Sequence, residues 1–264
     1  MHNPVIGQVR LERDGSVAHV VLDRPSKLNT MTVDMDEQLN AISFEINNDR
    51  DIRAVVLSGA GDRAFCAGSD IGNLDGYGDH WEYRNRFDAR RDYARAVWLI
   101  RKPVVAAING YCIGGGLEMA SASDIRVATP TSQFSAGEIR WGWHGGSGQT
   151  QFLTRLIGPG HASSMLMTGD PIDGVEAHRI GLVQKLIEPD QLMDCASAIA
   201  LSIAEKAPIA IERTKNMIRI AQNVSLEAGL MIENDSFAAL LYTQDMAEGQ
   251  AAFAENRQPK FTGR

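Results

Sequence analysis

Two glutamates stand twenty positions apart in this chain, and each closes a short segment that contains glycine. Glu118 closes the run Gly-Gly-Gly-Leu-Glu at 114–118, and Glu138 closes Phe-Ser-Ala-Gly-Glu at 134–138, with a glycine-rich segment following at 142–148. Two carboxylates can divide the giving and taking of a proton between them. Glycine lets backbone amides approach a ligand closely. The pattern therefore predicts a site where paired acids move a proton beside amides that hold an oxyanion.

The glycines also indicate which amides those are. The run at 114–116 opens a predicted helix, so the amide of Gly115 is a free first-turn donor, and Glu118, three residues later, lies on the same helix face. Tight packing of a strand on a helix, with an exposed glutamate, explains this segment equally well when it is taken alone. A second glycine loop at 64–71 offers the amide of Ser69 as the other donor, although surface turns use the same residues.

Composition limits the class of protein. The 264 residues, 44% of them hydrophobic, suit one large α/β domain or two small ones. The net charge of −7, without a block of lysine or arginine, argues against a nucleic-acid partner. Three cysteines without a CxxC pair indicate neither a disulfide framework nor a zinc site. With no signal peptide and no apolar stretch of about 18 residues, we expect a soluble cytoplasmic protein without membrane association.

Strands and helices alternate along the first two thirds of the chain. Asp14 and Gly15 form a hairpin signal, Thr32 is placed to cap a helix, and Asp173 with Glu176 form another capping pair. Pro189 and Pro208 suit first turns of helices. The predicted elements are strands 8–13 and 17–22, a helix from 32 to 48, strand 54–57, a helical stretch 79–100, strand 104–108, a helix from 114, extended pieces at 124–128 and 134, and a helical tail after about 190.

Three motifs in this order and spacing resemble the crotonase (enoyl-CoA hydratase/isomerase) superfamily. They are Ala-Phe-Cys-Ala-Gly-Ser-Asp-Ile at 64–71, Lys-Pro-Val-Val-Ala-Ala-Ile-Asn-Gly at 102–110 and Gly-Gly-Gly-Leu-Glu at 114–118. Further matches at 23–29, 166–169, 181–183 and 253–264 extend the resemblance over nearly the whole chain. It implies an α/β fold, a crotonase-like spiral of repeated ββα units with a C-terminal helical region.

The resemblance also implies that two regions of the chain have different roles. Residues 1–195 are expected to form the ββα spiral core with an acyl-CoA site, and residues 196–264 a helical region used to assemble a homotrimer, commonly a dimer of trimers. Coenzyme A is then part of the substrate, so no separate cofactor and no metal is expected.

Within the family, the positions matched by Ser69 and Gly115 supply the amides that hold the thioester oxygen. Enoyl-CoA hydratases place glutamates at the positions of both Glu118 and Glu138, whereas isomerases generally need only the second, so this chain is most like a hydratase. The remaining positions expected to bind CoA or the acyl group are Lys27, Ala67 through its carbonyl, Asp70, Ile71, Trp143 and His144.

The segment after Glu138 departs from the family pattern. Hydratases usually continue with Gly-x-x-Pro-Gly-x-Gly-Gly, whereas residues 142–149 here read Gly-Trp-His-Gly-Gly-Ser-Gly-Gln, so the proline and one glycine are replaced. His144 is either a third acid-base group or a loop histidine satisfied by backbone, which is the commoner role. Trp141 and Trp143, with Tyr77 and Trp81, indicate either an aromatic wall of the acyl pocket or ordinary core, the commoner role for such residues.

Other enzyme classes fit less well. Residues 59–64 match a dinucleotide-binding GxGxxG/A with Asp79 further on, but Phe-Cys-Ala-Gly follows at 65–68 instead of a helix. A serine hydrolase motif around Ser147 fails because residue 149 is glutamine. The alternatives that stay open are another crotonase-type enzyme, namely an isomerase, decarboxylase or thioester hydrolase, and a non-catalytic acyl-CoA binder.

Overall fold

The computed structural model describes residues 7–72 and 92–264. Its strands are β1 (Gln8–Asp14), β2 (Val17–Asp23), β3 (Ala54–Gly59), β4 (Ala64–Cys66), β5 (Val104–Ile108), β6 (Tyr111–Ile113), β7 (Ile125–Ala128), β8 (Gln133–Ser135), β9 (Ile172–Asp173) and β10 (Lys185–Leu186). Its helices are α1 (Val33–Asn48), α2 (Tyr93–Leu99), α3 (Gly115–Ala122), α4 (Gln149–Thr168), α5 (Gly174–Arg179), α6 (Leu192–Ala204), α7 (Pro208–Ala221), α8 (Leu226–Leu240) and α9 (Gln244–Ala254).

The strands form two sheets that the chain visits in turn. The larger sheet has the order β1-β2-β3-β5-β7-β10, and the smaller has the order β4-β6-β8-β9. β3, β5 and β7 are parallel neighbours, and each is followed by a short strand of the smaller sheet, β4, β6 or β8, which are also parallel. Helices α2 and α3 then lead to the next strand of the larger sheet. The predicted spiral of ββα units is confirmed.

The local signals in the sequence form the elements they predicted. Asp14 pairs with Val17 across a tight hairpin, and the Thr32 hydroxyl accepts a hydrogen bond from the amide of Met35 at 3.3 Å. Asp173 accepts from the amide of Glu176, but the Glu176 carboxylate binds Arg179 and not the helix start. The helical stretch predicted from residue 79 is described only from 92 onward, where α2 lies; 79–91 fall outside the described residues.

Two apolar layers hold the larger sheet. Alternate side chains of β5 point to opposite faces, so Val104 and Ile108 join the main core with Phe65 and Leu117, while Val105 joins a second layer. That second layer is completed by α6, which covers the other face of the sheet with Leu192, Ala196 and Ala200. Burial on both faces explains why β5 reads as a continuous apolar run.

The C-terminal helices are attached to the spiral by charged groups. Lys215 of α7 donates to a carboxylate oxygen of Asp124 at 2.5 Å and to the carbonyl of Lys102 at 2.7 Å. Burial lowers the pKa of Lys215 to about 8, although Asp124 opposes the shift.

The boundary predicted between residues 195 and 196 falls within α6, and this division stays a prediction. Within the two described stretches, no helix has the length and apolar character needed to cross a bilayer.

A buried arginine joins α3, β7 and the segment before β10. Arg126 of β7 donates to the carbonyl of Leu182 at 2.7 Å, and to those of Ser123 at 2.7 Å and Ala120 at 3.2 Å at the end of α3. A cation in this position also complements the negative end of the helix dipole. Burial lowers the pKa of Arg126 to about 10, so the guanidinium stays charged at neutral pH.

Replacing this side chain by one of similar length tests its contribution. Arg126→Met leaves three buried carbonyls without their donor, and each such group costs about 1–3 kcal/mol. We expect the free energy of unfolding, measured in urea at fixed protein concentration, to fall by at least about 2 kcal/mol. Arg179→Met, which breaks an exposed pair with Glu176, is the control and changes it by less than about 1 kcal/mol. Equal effects of the two substitutions would contradict the assignment.

Candidate active site

Three loops meet where the parallel strands of the smaller sheet end. Because β4, β6 and β8 run in the same direction, the segments that follow them leave from one edge. The amide of Gly114, after β6, donates to the carbonyl of Ser135 in β8 at 3.0 Å. After β4, Gly68 lies so close that a Cβ built on it would be 3.3 Å from the amide nitrogen of Gly115.

Two backbone amides at this meeting point are directed away from other backbone groups. Met31 bridges to Ser69: the amide of Met31 donates to the carbonyl of Gly68 at 2.8 Å and its carbonyl accepts from Asp70 at 2.8 Å. In a parallel bridge this leaves the N–H of Ser69 pointing to the opposite side. Neither that N–H nor the N–H of Gly115 donates to another of the described residues.

Gly114 allows the second of these amides to face the site. Its φ is +55°, a left-handed conformation that other residues rarely adopt. A Cβ at this position would also lie 2.8 Å from Oε1 of Glu138. A side chain here would therefore strain the start of α3 and displace the Glu138 carboxylate, so glycine is required on both counts.

Glu118 is the buried carboxylate of the site. Its side chain lies in α3 and the residue is 1% exposed. Oε1 accepts from the amide of Ser147 at 2.8 Å, and Oε2 accepts from the hydroxyl of Tyr93 at 3.3 Å. Burial raises the pKa of Glu118 to about 7; the charges of Glu138 and Asp92 add to the increase, while the two hydrogen bonds oppose it.

Glu138 faces the same space from the other side. It lies in a 3-10 turn, Gly137–Trp141, that follows β8. Nε2 of Gln149 is 3.3 Å from each of its carboxylate oxygens. Burial raises the pKa of Glu138, against the hydrogen bond from Gln149 and the charge of His144. Since the charge of Glu138 also raises the pKa of Glu118, the two carboxylates titrate as an interacting pair.

The geometry therefore places two interacting carboxylates beside two unengaged amides, and comparison with known proteins gives the family. The model of the enoyl-CoA hydratase/isomerase family matches residues 12–264.

The chain belongs to the enoyl-CoA hydratase/isomerase family.

Characterised relatives match over almost their entire length. The chain is 36% identical over 259 residues to the short-chain-enoyl-CoA hydratase of Clostridium acetobutylicum, covering 96% of this chain and 97% of that protein. It is 36% identical over 256 residues to the (E)-benzylidenesuccinyl-CoA hydratase of Thauera aromatica, covering 97% and 99%. The crystal structure of enoyl-CoA hydratase from Bacillus anthracis has a TM-score of 0.92 at 33% identity and covers 97% and 100% of the two chains. The fold class and the family resemblance are thereby confirmed.

Tyr93 lies in the predicted helical stretch 79–100 and is a site residue that the sequence analysis did not single out. Its hydroxyl lies 3.1 Å from the hydroxyl of Ser69 and donates to Glu118, so it connects the loop after β4 with the buried carboxylate. A buried tyrosine needs a hydrogen-bond partner, but periodicity does not show which one. Asp92 and Gln149 were likewise not singled out for this site.

In this enoyl-CoA hydratase/isomerase family member, the residues predicted to bind CoA lie around one loop. Partial burial raises the pKa of Asp70, but the Arg24 guanidinium, 2.7 Å from one carboxylate oxygen, and the amide of Gly72 help to hold it below its usual value. Lys27 is exposed in the adjacent 3-10 turn, Pro25–Lys27, and its charge acts on Asp70 in the same direction. Ala67 donates its amide to Leu28 at 3.0 Å, and Ile71 is 66% exposed.

The two tryptophans in the segment after Glu138, which differs from the family pattern, are at the surface. Trp141 is 70% exposed and Trp143 is 44% exposed, so the interpretation of these two as ordinary core is wrong. Nδ1 of His144 lies 2.8 Å from the carbonyl of Gly145, and its charge acts on Glu138. Tyr77 and Trp81 lie outside the described residues. Core packing therefore does not explain the side chains of Trp141 and Trp143.

The competing enzyme classes find no support in this geometry. β3 leads through a turn into β4, so no helix follows the GxGxxG-like segment at 59–64 to receive a pyrophosphate. The hydroxyl of Ser147 donates to the buried carboxylate of Asp92, and among the described residues no histidine binds it. Ser147 therefore supports Glu118 through its amide and is not arranged as a nucleophile.

The raised pKa of Glu118 predicts a stability effect that depends on pH. The folded protein holds this proton with a pKa of about 7, against 4.5 for the ordinary carboxyl. The proton on Glu118 contributes fully to stability below the unfolded-state pKa of 4.5, and this contribution is lost as pH rises through the folded-state pKa of about 7. Glu118→Gln does not titrate, so its stability relative to wild type should increase by about 3 kcal/mol between about pH 4 and about pH 8.

Urea unfolding of both proteins at the two pH values, at fixed protein concentration, checks this expectation. Glu205→Gln, at an exposed position after α6, is the control and should show no change in the difference. A Glu118→Gln protein whose stability relative to wild type is the same at both pH values would rule out a protonated Glu118 in the folded state.

Proposed function

We propose that the protein is an enoyl-CoA hydratase, which adds water across the 2,3 double bond of an enoyl-CoA thioester. The observation that carries this proposal is the pairing of a buried carboxylate, Glu118, with a half-buried one, Glu138, beside two amides that donate to none of the described residues. An isomerase or a non-catalytic binder would not need Glu118 as a carboxylate, yet the site surrounds Glu118 with two donors. The relatives in Clostridium and Thauera are named as hydratases of CoA thioesters.

The first requirement of hydration is to stabilise negative charge on the thioester oxygen. When the oxygen of water adds to C3, the electrons of the double bond move through C2 to the carbonyl and an enolate forms. The N–H groups of Ser69 and Gly115 donate to that oxygen. Because they are held by the bridge to Met31 and by the start of α3, they need no reorganisation as charge develops. Loss of one such donor raises a reaction barrier by about 2.7–4 kcal/mol.

The second requirement is to move two protons. One carboxylate, ionised, takes a proton from the water as its oxygen bonds to C3, and the other, protonated, gives its proton to C2. Burial raises the pKa of both carboxylates, and the charge of Glu138 raises that of Glu118 further, which favours a state with one carboxyl protonated and the other ionised. Proton exchange between the pair after product release restores the starting state. We assign Glu118 and Glu138 to this task jointly.

The outer part of the substrate follows from the same assignment. The carbonyl of Ala67, with Asp70, Ile71 and Lys27, lines the path for the CoA moiety next to Ser69. Trp143 and His144 lie near Glu138, where the acyl group would extend. CoA is part of the substrate, so the proposed reaction uses no separate cofactor or metal. A cytoplasmic location stays a prediction.

Removing either carboxyl tests the proposal directly. Glu118→Gln and Glu138→Gln keep the side-chain shape but cannot transfer the proton, and we expect each to lower kcat for crotonyl-CoA hydration by about 100-fold or more. The measurement is the loss of conjugated enoyl absorbance, with affinity for butyryl-CoA followed by calorimetry. Binding should change by less than about 3-fold, because the thioester contacts are retained.

The exposed Glu205→Gln protein serves again as the control and should keep wild-type kcat. Unimpaired turnover by either site variant would reject the proposed mechanism. A panel of straight, branched and aromatic enoyl-CoAs, assayed with the wild-type protein, would then identify the acyl group; the absence of hydration of every member would reject the function.

We propose that the chain assembles as a homotrimer or as a dimer of trimers. In support, Leu226, Leu230, Met231 and Phe237 of α8 are each more than half exposed in the single chain. Apolar surface of this extent on one helix is typical of an interface.

Sedimentation analysis should give three or six times the 28.8 kDa mass of one chain. Two aspartates on α8, in the double variant L230D/F237D, should shift the protein to monomer, because burying two carboxylates at an apolar interface costs more than the contact contributes. A monomeric wild-type protein, or a double variant that keeps the wild-type mass, would contradict this assignment of the interface.

A further inference from the structure

Gln149 lies between the two candidate carboxylates, where the family pattern has glycine. It is the first residue of α4 and is 1% exposed. It is one of the two replaced positions in the segment 142–149; the other is Gly145, which stands where hydratases usually have proline. A long polar side chain in place of a hydrogen atom adds a group to the centre of the site.

The amide nitrogen of Gln149 faces Glu138 and the start of α3. Nε2 lies 3.3 Å from each carboxylate oxygen of Glu138 and 3.4 Å from the carbonyl of Gly114. The two N–H groups of this amide are shared among the two Glu138 oxygens and the Gly114 carbonyl. The orientation of the Glu138 carboxylate is thereby coupled to the position of Gly114, which precedes Gly115. Gln149 thus connects one carboxylate to one side of the predicted oxyanion hole.

The amide oxygen of Gln149 and Oε1 of Glu118 both border Gly145. A Cβ built on Gly145 would lie 2.5 Å from Oε1 of Gln149, 2.7 Å from its Cβ and 2.7 Å from Oε1 of Glu118. Any residue at 145 with a Cβ, proline included, would therefore collide with the glutamine and with Glu118. The two departures from the family pattern are one change: Gly145 provides the space that Gln149 occupies.

We propose that Gln149 is a positioning residue of the acyl-CoA site, which orients the Glu138 carboxylate and fills the space between the two glutamates, with Gly145 as the residue that admits it. This inference rests on the proposed hydratase function. It also makes Gln149 a determinant of which acyl groups fit, because its carboxamide takes space that a glycine leaves open.

The carboxamide also affects the titration of the pair. A neutral donor to a carboxylate favours the ionised form, so the hydrogen bond from Gln149 lowers the pKa of Glu138 against the effect of burial. Its removal should raise that pKa and move the corresponding limb of the kcat/KM profile to higher pH. A purely structural contribution would lower stability without moving this limb.

Four variants test the proposal with the full-length protein. Gln149→Met keeps the length of the side chain without its donors, and Gln149→Gly restores the residue usual in the family. Gly145→Ala is made both alone and together with Gln149→Gly. Gln151→Met, at an exposed position in the first turn of the same helix, is the matched control.

For Gln149→Met we expect kcat for crotonyl-CoA to fall about 10-fold or more, with butyryl-CoA affinity changed less than about 3-fold and the pH limb moved upward. Gln151→Met should match wild type in all three. Gly145→Ala should lower kcat about 10-fold in the wild-type background and by a clearly smaller factor in the Gln149→Gly background, because the close contacts with Gln149 are gone and only the one with Oε1 of Glu118 remains. Wild-type kcat and pH profile for Gln149→Met, or an equal effect of Gly145→Ala in both backgrounds, would overturn the proposal.

Failure of the proposed function gives a different result. If the wild-type protein hydrates no enoyl-CoA, the titration of Glu138 in protein labelled with ¹³C at the glutamate carboxyl decides the matter without turnover. The resonance is assigned by its loss in Glu138→Gln. A higher pKa of Glu138 in Gln149→Met than in wild type supports the positioning role, and an unchanged pKa refutes it.

Discussion

The site depends on keeping a carboxylate, Glu118, almost completely out of water. Burial of such a group is unfavourable unless donors satisfy its oxygens or a proton neutralises it. Both occur here: the amide of Ser147 and the hydroxyl of Tyr93 reach the two oxygens, and the pKa is raised to about 7. The same dry environment strengthens the hydrogen bonds from backbone amides to a developing oxyanion. In the reaction proposed above, desolvation therefore links proton transfer to enolate stabilisation.

The architecture meets this constraint through parallel strands. Because β4, β6 and β8 end at one edge, three loops distant in sequence converge, and each contributes a different group: an amide after β4, a helix start after β6 and Glu138 after β8. Close approach then depends on small residues, and Gly114 is the clearest case, since a Cβ there would reach Glu138. α6 covers the face of the larger sheet that points away from the main core.

The segment after Glu138 shows how a family site is varied within these limits. Replacing a proline with Gly145 and a glycine with Gln149 preserves the two glutamates but changes what lies between them. The exposed Trp141 and Trp143 belong to the same segment. The departures from the family pattern are thus concentrated in one stretch of chain, while the amides of Ser69 and Gly115 are held by separate elements.

The sequence by itself determined the order of ββα units, the hairpin at Asp14, the Thr32 cap and the family, because these depend on short-range patterns and on motif spacing. Only the tertiary structure decided which side chains meet: Tyr93 and Ser147 reach Glu118 from 25 and 29 positions away, and Gln149 reaches Glu138 from 11. Burial decides these contacts, since a polar atom removed from water must find a partner wherever the fold brings one, and local periodicity contains no information about that partner.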